Sequence, residues 1–369
     1  MPDTTPRLPT PERRQRPRVA VAAVSRAGQA LRALGLAATV ASGLVVASVG
    51  LRVTPTAQAS TGPLPGGRSV APPIEHRAEP RREPSILTPG LRAKGFNACY
   101  APDPGFGRWL PWKSLVQGQI LLPAHGGATA DAGYDVVVHF HGHEAVRHGF
   151  IEAARGSVLV GIDLGIGSGP YESAFRDRNA WPQLVASIER ALQKHAGTGG
   201  AHIRHLALSS WSAGYGAVTQ ILAHHAAEID AVVLLDSLHS DYVTGAPQDL
   251  RAIHGVWGLP IAPVTAFAQR AARGDGVFYF SHSQVVPPGY ASTTEVADFV
   301  LGEVGGARVP MQAMNPLGAE LQTGFDVGGV RVRGYAGADE RAHCAHVAQL
   351  AEVVRDQLEP AWGTPEATE

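Results

Sequence analysis

Short, uninterrupted apolar runs recur along the chain, and each is followed by an amphipathic stretch. Asp135–His141 reads DVVVHFH, Ser157–Leu164 reads SVLVGIDL, His205–Ser209 reads HLALS and Ala231–Asp236 reads AVVLLD. Runs this short and this apolar are buried on both faces, as the inner strands of a parallel sheet are. Val277–Phe280 and Val330–Tyr335 add two more strands. Between them, Trp181–His195 places Leu184, Ile188 and Leu192 at helical spacing, with Asn179 as the expected N-cap and Pro182 in the first turn. A second helix is expected over Gly214–His225, and a third over His346–Leu358, where Val347, Leu350 and Val354 form an apolar stripe. Strands alternating with helices predict an α/β fold: a mostly parallel central sheet with helices on both faces.

The N-terminus has a different composition. Residues 1–59 carry eight Arg against Asp3 and Glu12, and the remainder carries 23 basic against 30 acidic side chains. A mildly acidic body without a basic run argues against a nucleic-acid partner. Arg13, Arg14, Arg16 and Arg18 precede an uncharged run from Ala33 to Leu51, whose 19 residues are enough to span a bilayer as a helix. Beyond it, Ala57-Gln58-Ala59 has the small-x-small pattern of a signal-peptidase site. Residues 1–59 are therefore expected to be a signal peptide or a signal anchor, and the body to lie outside the cytoplasm. Any membrane anchoring is expected only through residues 33–51. Residues 60–89, rich in Pro, Gly and mixed charge, read as an extended linker, and residues 90–369 as the folded domain. The chain has two cysteines, Cys99 and Cys344. In an oxidising compartment they are expected to pair, tying the start of the domain to the segment that carries His343 and His346.

The chemistry concentrates at the strand ends. In His205–Gly216 (HLALSSWSAGYG), a strand runs through a sharp turn into a helix, and Ser212 occupies the turn. Ser210 two residues before it and Gly214 two residues after it are the small neighbours that a nucleophile elbow needs. The pattern is S-x-S-x-G rather than the strict G-x-S-x-G. Here the chain resembles the α/β-hydrolase superfamily, from about residue 95 to 362, in the manner of a secreted serine esterase or lipase. The resemblance implies that the nucleophile follows the fifth strand and that the acid and the histidine come later in the chain. Asp236, at the end of AVVLLD, is the expected acid, with Asp241 in reserve, because the loop after VFYF holds no carboxylate before Glu295. Glu295 is expected in the first turn of a helix that begins at Thr293 or Thr294. His346 is the expected base and His343 the alternative. The acid would fix the histidine tautomer and stabilise the imidazolium.

An oxyanion hole requires two donors. The resemblance implies the backbone N–H of Ala213 and a donor from the His141-Gly142-His143-Glu144 loop, at Gly142 or His143. A long insertion after the sixth strand, from Ser237 to Val277, is expected as a lid; Trp257, Leu259, Pro260, Ile261 and Phe267 make it apolar. Trp211, Tyr171 and Trp257 are the expected substrate-binding residues. The implied reaction is hydrolysis of a small-molecule, lipid or cell-envelope ester (or an amide) through an acyl-enzyme.

Two other readings stand beside this one. His139, His141 and His143 alternate, so on an extended strand they would point the same way, and a metal-dependent hydrolase would use them with Glu144 as base. An inactive hydrolase fold used for binding is the other. The leading reading needs neither metal nor cofactor. There is no Walker A motif, and Gly161, Gly165, Gly167 and Gly169 lack the spacing and acidic partner of a dinucleotide loop.

Overall fold

The computed structural model describes residues 103–243, 255–314 and 319–368, all within the unit that runs from His76 to Glu369. The expected leader, the linker and Cys99 lie outside the described residues. The described residues form twelve strands: β1 (Lys113–Ser114), β2 (Gln119–Leu121), β3 (His125–Gly126), β4 (Gly133–Phe140), β5 (Val158–Ile162), β6 (His202–Trp211), β7 (Ala231–Leu235), β8 (Val277–His282), β9 (Val309–Met314), β10 (Glu320–Val327), β11 (Val330–Tyr335) and β12 (Ala367–Thr368). The main sheet has ten strands in the order β1-β2-β5-β4-β6-β7-β8-β11-β10-β9. Its centre, from β5 to β11, is parallel, and both edges are antiparallel. This is the expected mostly parallel α/β architecture.

The apolar runs are continuous because successive side chains serve two cores. Val136, Val138 and Phe140 of β4 enter one buried cluster with Val158 and Val160 of β5, Val232 and Leu234 of β7 and Phe278 and Phe280 of β8. Val137, Leu159, Ala207, Val233 and Tyr279 enter the opposite one. The period of two along a strand thus fills both faces of the sheet.

The first face is covered by five helices: α2 (Gly169–Phe175), α3 (Ala180–Ala196), α4 (Tyr215–His225), α5 (Ala262–Ala272) and α6 (Thr293–Val304). The second is covered by α1 (His143–Ala153) and a C-terminal helical series. That series comprises α7 (Glu340–Ala345), a 3-10 turn at His346–Ala348, α8 (Gln349–Val353), a π turn and α9 (Glu359–Trp362).

Several boundaries differ from expectation. Asn179 precedes α3 but makes no side-chain cap; its amide instead donates to Asp177 at 3.3 Å. The helix holding Glu295 is capped by Ser292, in a reciprocal capping box with Glu295. The closing helical series starts at Glu340 rather than His346, because the Asp339 side chain accepts the N–H of Ala342 and caps it. Of the expected lid, residues 244–254 lie outside the described set. Its later part is a sheet-covering crossover: α5 buries Val264, Phe267, Ala268 and Ala271 in the core.

One buried carboxylate pins the C-terminal helices to the sheet. Glu359 accepts the backbone N–H groups of Arg155, Gly156 and Ser157 at 2.8–3.0 Å and the Ser157 hydroxyl at 2.8 Å. Glu359→Ala would leave these buried donors unpaired, and each such loss typically costs about 1–3 kcal/mol. Urea unfolding of that variant is expected to show a loss of at least about 2 kcal/mol; a change below about 0.5 kcal/mol, the usual range at an ordinary surface site, would contradict this role.

Candidate active site

Ser212 sits at the end of β6, the fifth strand of the main sheet in chain order (β1, β2, β4, β5, β6). Its φ is +49°, a left-handed conformation that non-glycine residues rarely hold. The turn that imposes it is tight: a Cβ on Gly214 would collide with the carbonyl oxygen of Phe140 at the end of β4. Ser210 fills the place of the missing glycine and adds a hydrogen bond. Its hydroxyl meets the Ser237 hydroxyl at 2.8 Å, and Ser237 donates to the Ser212 carbonyl at 2.8 Å. Ser237 has one proton, so Ser210 is the donor of the pair.

Asp236 lies beside Ser212. Trp211 is in register with Leu235 on the neighbouring parallel strand, so Ser212 and Asp236 are the next residues out on each. Asp236 is also left-handed, with φ +43°. Its carboxylate is buried but fully engaged. Oδ1 accepts the N–H of Ser283 at 2.8 Å and the Thr293 hydroxyl at 2.5 Å, and Oδ2 accepts from His343 Nδ1 at 2.7 Å. Burial alone would raise this carboxyl, but the charges of His346 and His343 and the hydrogen bonds from His343 and Thr293 outweigh it. The group is held well below the usual carboxylate range. Burial pushes His346 itself down to about 4, so it is neutral at pH 7. The groups that serve the anion at neutral pH are therefore the three donors.

The histidine expectation needs correction. His343, not His346, is hydrogen-bonded to Asp236. His346 is buried, places Nδ1 2.8 Å from the Ser281 hydroxyl and meets the Tyr335 ring edge-on at 5.5 Å. The physical reason lies in the helix period. His346, Leu350 and Val354 recur at intervals of four, so His346 belongs to the stripe that faces the core. His343 lies one turn earlier, in α7, with its ring stacked on Trp211 at 4.9 Å and its carbonyl accepting from Trp211 Nε1 at 3.0 Å. Asp241, the reserve acid, lines the cleft, but it is not the partner of His343.

The oxyanion loop also differs. The N–H of Gly142 is committed to Asp163 Oδ1 at 2.6 Å, and the His143 ring to Asp163 Oδ2 at 2.5 Å and to an edge contact with Trp112. Neither Gly142 nor His143 lines the cleft, whereas Ala213 does. Burial would raise Asp163, but the His143 hydrogen bond and charge and the Gly142 N–H bring it to about 2. The strand-like alternation of the three histidines breaks at His141, whose φ is +73°. His139 is bonded to Ser209 and to the His141 carbonyl, His141 to Tyr171 and His143 to Asp163, so the imidazoles do not converge. Among the described residues no cluster of His, Cys, Asp or Glu could hold a metal ion.

Ser212 opens on a cleft of about 680 Å³. Its walls include His141, Glu172, His239, Asp241, Pro260 and Tyr290. The expected substrate contacts shift accordingly. Tyr171 is 0% exposed and supports His141 from behind, and Trp211 is sandwiched between His141 and His343. Trp257 is 44% exposed but does not line the cleft. His239 and Tyr290 are not marked by the sequence, and His141 is marked there only as part of the oxyanion loop and as a candidate metal ligand, not as a substrate contact. The one available signal was the position of His141 beside Gly142 after an apolar strand.

No protein-family model and no curated protein sequence matches the chain. Solved structures do. The enterobactin esterase of Shigella flexneri is 9% identical with a TM-score of 0.42, over 68% of this chain and 60% of that one. Esterase 2 of Thermogutta terrifontis is 14% identical with a TM-score of 0.37, over 73% of this chain and 99% of that one. An uncharacterised protein of Capnocytophaga ochracea is 10% identical with a TM-score of 0.37, and the chain spans 60% of its length.

Two predictions follow from strain and burial. Glycine relieves a left-handed backbone, so Ser212→Gly is expected to be more stable than Ser212→Ala by about 1 kcal/mol in urea unfolding; equal stabilities would mean that the turn is unstrained. For His346, the folded value of about 4 lies below the unfolded value of about 6.5. The unfolded chain therefore takes up a proton that the folded chain refuses. The stability from neutral His346 is complete above about pH 6.5 and is lost as the pH falls toward 4. In His346→Gln, the slope of stability against pH in that window is expected to flatten by up to about 1.4 kcal/mol per unit. An unchanged slope would contradict the buried neutral state.

Proposed function

We propose that the protein is a serine hydrolase acting on ester bonds, a member of the α/β-hydrolase superfamily. Ser212 would be the nucleophile, His343 the general base and Asp236 the acid that orients it. The observation that carries this reading is the left-handed Ser212 opening on the cleft, beside a buried Asp236 carboxylate bonded to His343. In the proposed reaction, Ser212 Oγ attacks the ester carbonyl while His343 Nε2 takes its proton. His343 Nδ1–H stays on Asp236, which stabilises the imidazolium as it forms. Collapse of the tetrahedral species expels the alcohol, protonated by His343. Water, deprotonated by the same residue, then cleaves the acyl-enzyme. The N–H of Ala213, next to the nucleophile on the cleft wall, would be one oxyanion donor.

The pairing of Asp236 with His343 beside the strained serine favours an enzyme over an inactive binding fold, since a binding role does not require that arrangement. The separated partners of His139, His141 and His143 disfavour the metal-dependent alternative. The reading extends to the rest of the chain. Residues 1–59 direct export, the domain works outside the cytoplasm and Cys99 pairs with Cys344. The substrate is a small-molecule, lipid or cell-envelope ester. Among the described residues, no helix is long and apolar enough to cross a membrane.

The test is rapid mixing of the full chain with a short p-nitrophenyl ester, with quenched samples examined by mass spectrometry. An acyl adduct on Ser212 is expected. A general base contributes typically about 10²–10⁴-fold, so His343→Ala should lose turnover on that scale, while folded His346→Gln keeps most of it. Turnover that persists in Ser212→Ala, or an equal loss in both histidine variants, would overturn the assignment.

A further inference from the structure

An oxyanion hole needs two donors, and the loop after β4 has already committed the backbone N–H groups of His141 and Gly142. The N–H of His141 donates to the Ile162 carbonyl at 2.9 Å, and that of Gly142 to Asp163 at 2.6 Å. What this loop turns toward the cleft is the His141 imidazole, carried on a strained left-handed backbone. A Cβ on Gly142 would lie 2.8 Å from the Trp211 ring, so the absence of one lets the loop close onto the residue that precedes Ser212. The His141 ring stacks on that indole at 5.2 Å and 17°, and Tyr171 meets it edge-on at 5.7 Å and 87°.

The shortest contact of the Tyr171 hydroxyl favours one tautomer. Tyr171 accepts the N–H of Leu164 at 3.1 Å, which leaves its single proton to donate. His141 Nδ1 lies 2.9 Å from that hydroxyl, closer than the Gly165 carbonyl at 3.3 Å. With Nδ1 accepting, the ring proton is on Nε2. Nε2 has no hydrogen-bond partner among the described residues. Burial, reinforced by repulsion from His343 and opposed by Asp163, holds His141 below its ordinary value, so the ring stays neutral.

We propose that His141 Nε2–H, rather than the backbone N–H of His141 or Gly142, is the second oxyanion donor beside that of Ala213, with Tyr171 as the positioning residue that sets its tautomer. The proposal rests on the ester-hydrolase reading of the same site. No bond to His141 forms or breaks. As Ser212 Oγ bonds to the carbonyl carbon, the carbonyl π pair moves onto oxygen, and Nε2–H hydrogen-bonds to that oxygen while keeping its proton. A neutral donor of this kind adds no second cation near the imidazolium of His343.

The test uses the full chain as parent, His141→Ala, His141→Gln, Tyr171→Phe and the double variant His141→Ala/Tyr171→Phe. Each is checked for folding by near-UV circular dichroism, and the parent for reaction with a fluorophosphonate at Ser212. Loss of one oxyanion donor costs about 10²–10³-fold in kcat, and His141→Ala is expected to show that loss with KM little changed. His141→Gln, whose amide can still donate, should recover part of it. Tyr171→Phe should lower kcat by a smaller factor, and the double variant should be no worse than His141→Ala, because the tyrosine acts only through the histidine. If His141→Ala does not fold, the glutamine and phenylalanine variants decide: both at parental kcat would overturn the proposal. A folded His141→Ala within about threefold of the parent kcat, or a loss confined to KM, would also overturn it, leaving the hydrolase reading intact. A parent that takes no phosphonate on Ser212 would overturn both.

Discussion

The site is held together by the Asp236 carboxylate, a charge buried at the end of a strand. A carboxylate removed from water costs several kcal/mol unless donors replace the water, and here the donors come from three other segments. The Ser283 N–H follows β8, the Thr293 hydroxyl opens α6 and the His343 imidazole lies on α7. Ser237, the next residue, anchors the carbonyl of Ser212. One anion thus ties the end of β7 to the loop after β8, α6 and α7 at a single corner, and its neighbour Ser237 adds the end of β6. Neutralising the anion would leave those donors without their shared partner.

Strain gathers at the same corner. Ser212, Asp236 and His141 all hold left-handed backbones just beyond the ends of parallel strands. Each costs on the order of 1–3 kcal/mol and persists only where surrounding structure over-determines it. The over-determination here is the two-faced sheet, whose buried runs fix β4, β6 and β7 from both sides. Rigid strands feeding short, strained turns can present a hydroxyl, a carboxylate and an imidazole with little freedom left to lose at the moment of reaction.

Much of this was legible in the sequence because it is local. Apolar runs mark β4–β8 and β11, and the small neighbours of Ser212 mark the turn. Asp236 follows from its position after AVVLLD. The errors come from contacts that are not local, or from local signals given too little weight. His346 looked favourable as the residue that opens an apolar stripe, yet membership of that stripe is what buries it. The Asp339 cap, which begins the helix early and leaves His343 at the corner, was the available counter-signal. The N–H of Gly142 is lost to Asp163, a residue on the neighbouring strand end that no periodicity links to it. The strand β10 is polar (ELQTGFDV) and β9 (VPMQAM) is interrupted by Pro310 and Gln312, so neither reads as a β-branched apolar run.

The proposed role of Ser212 as a nucleophile activated by His343 is open to a chemical test. It is tested most directly by mapping the adduct of a fluorophosphonate on the folded full chain at neutral pH, with and without a chelator. Modification of Ser212 is expected to be indifferent to chelator, absent from His343→Ala and retained in His346→Gln. A folded protein that takes no phosphonate, or one whose labelling depends on His346 and not on His343, would contradict it.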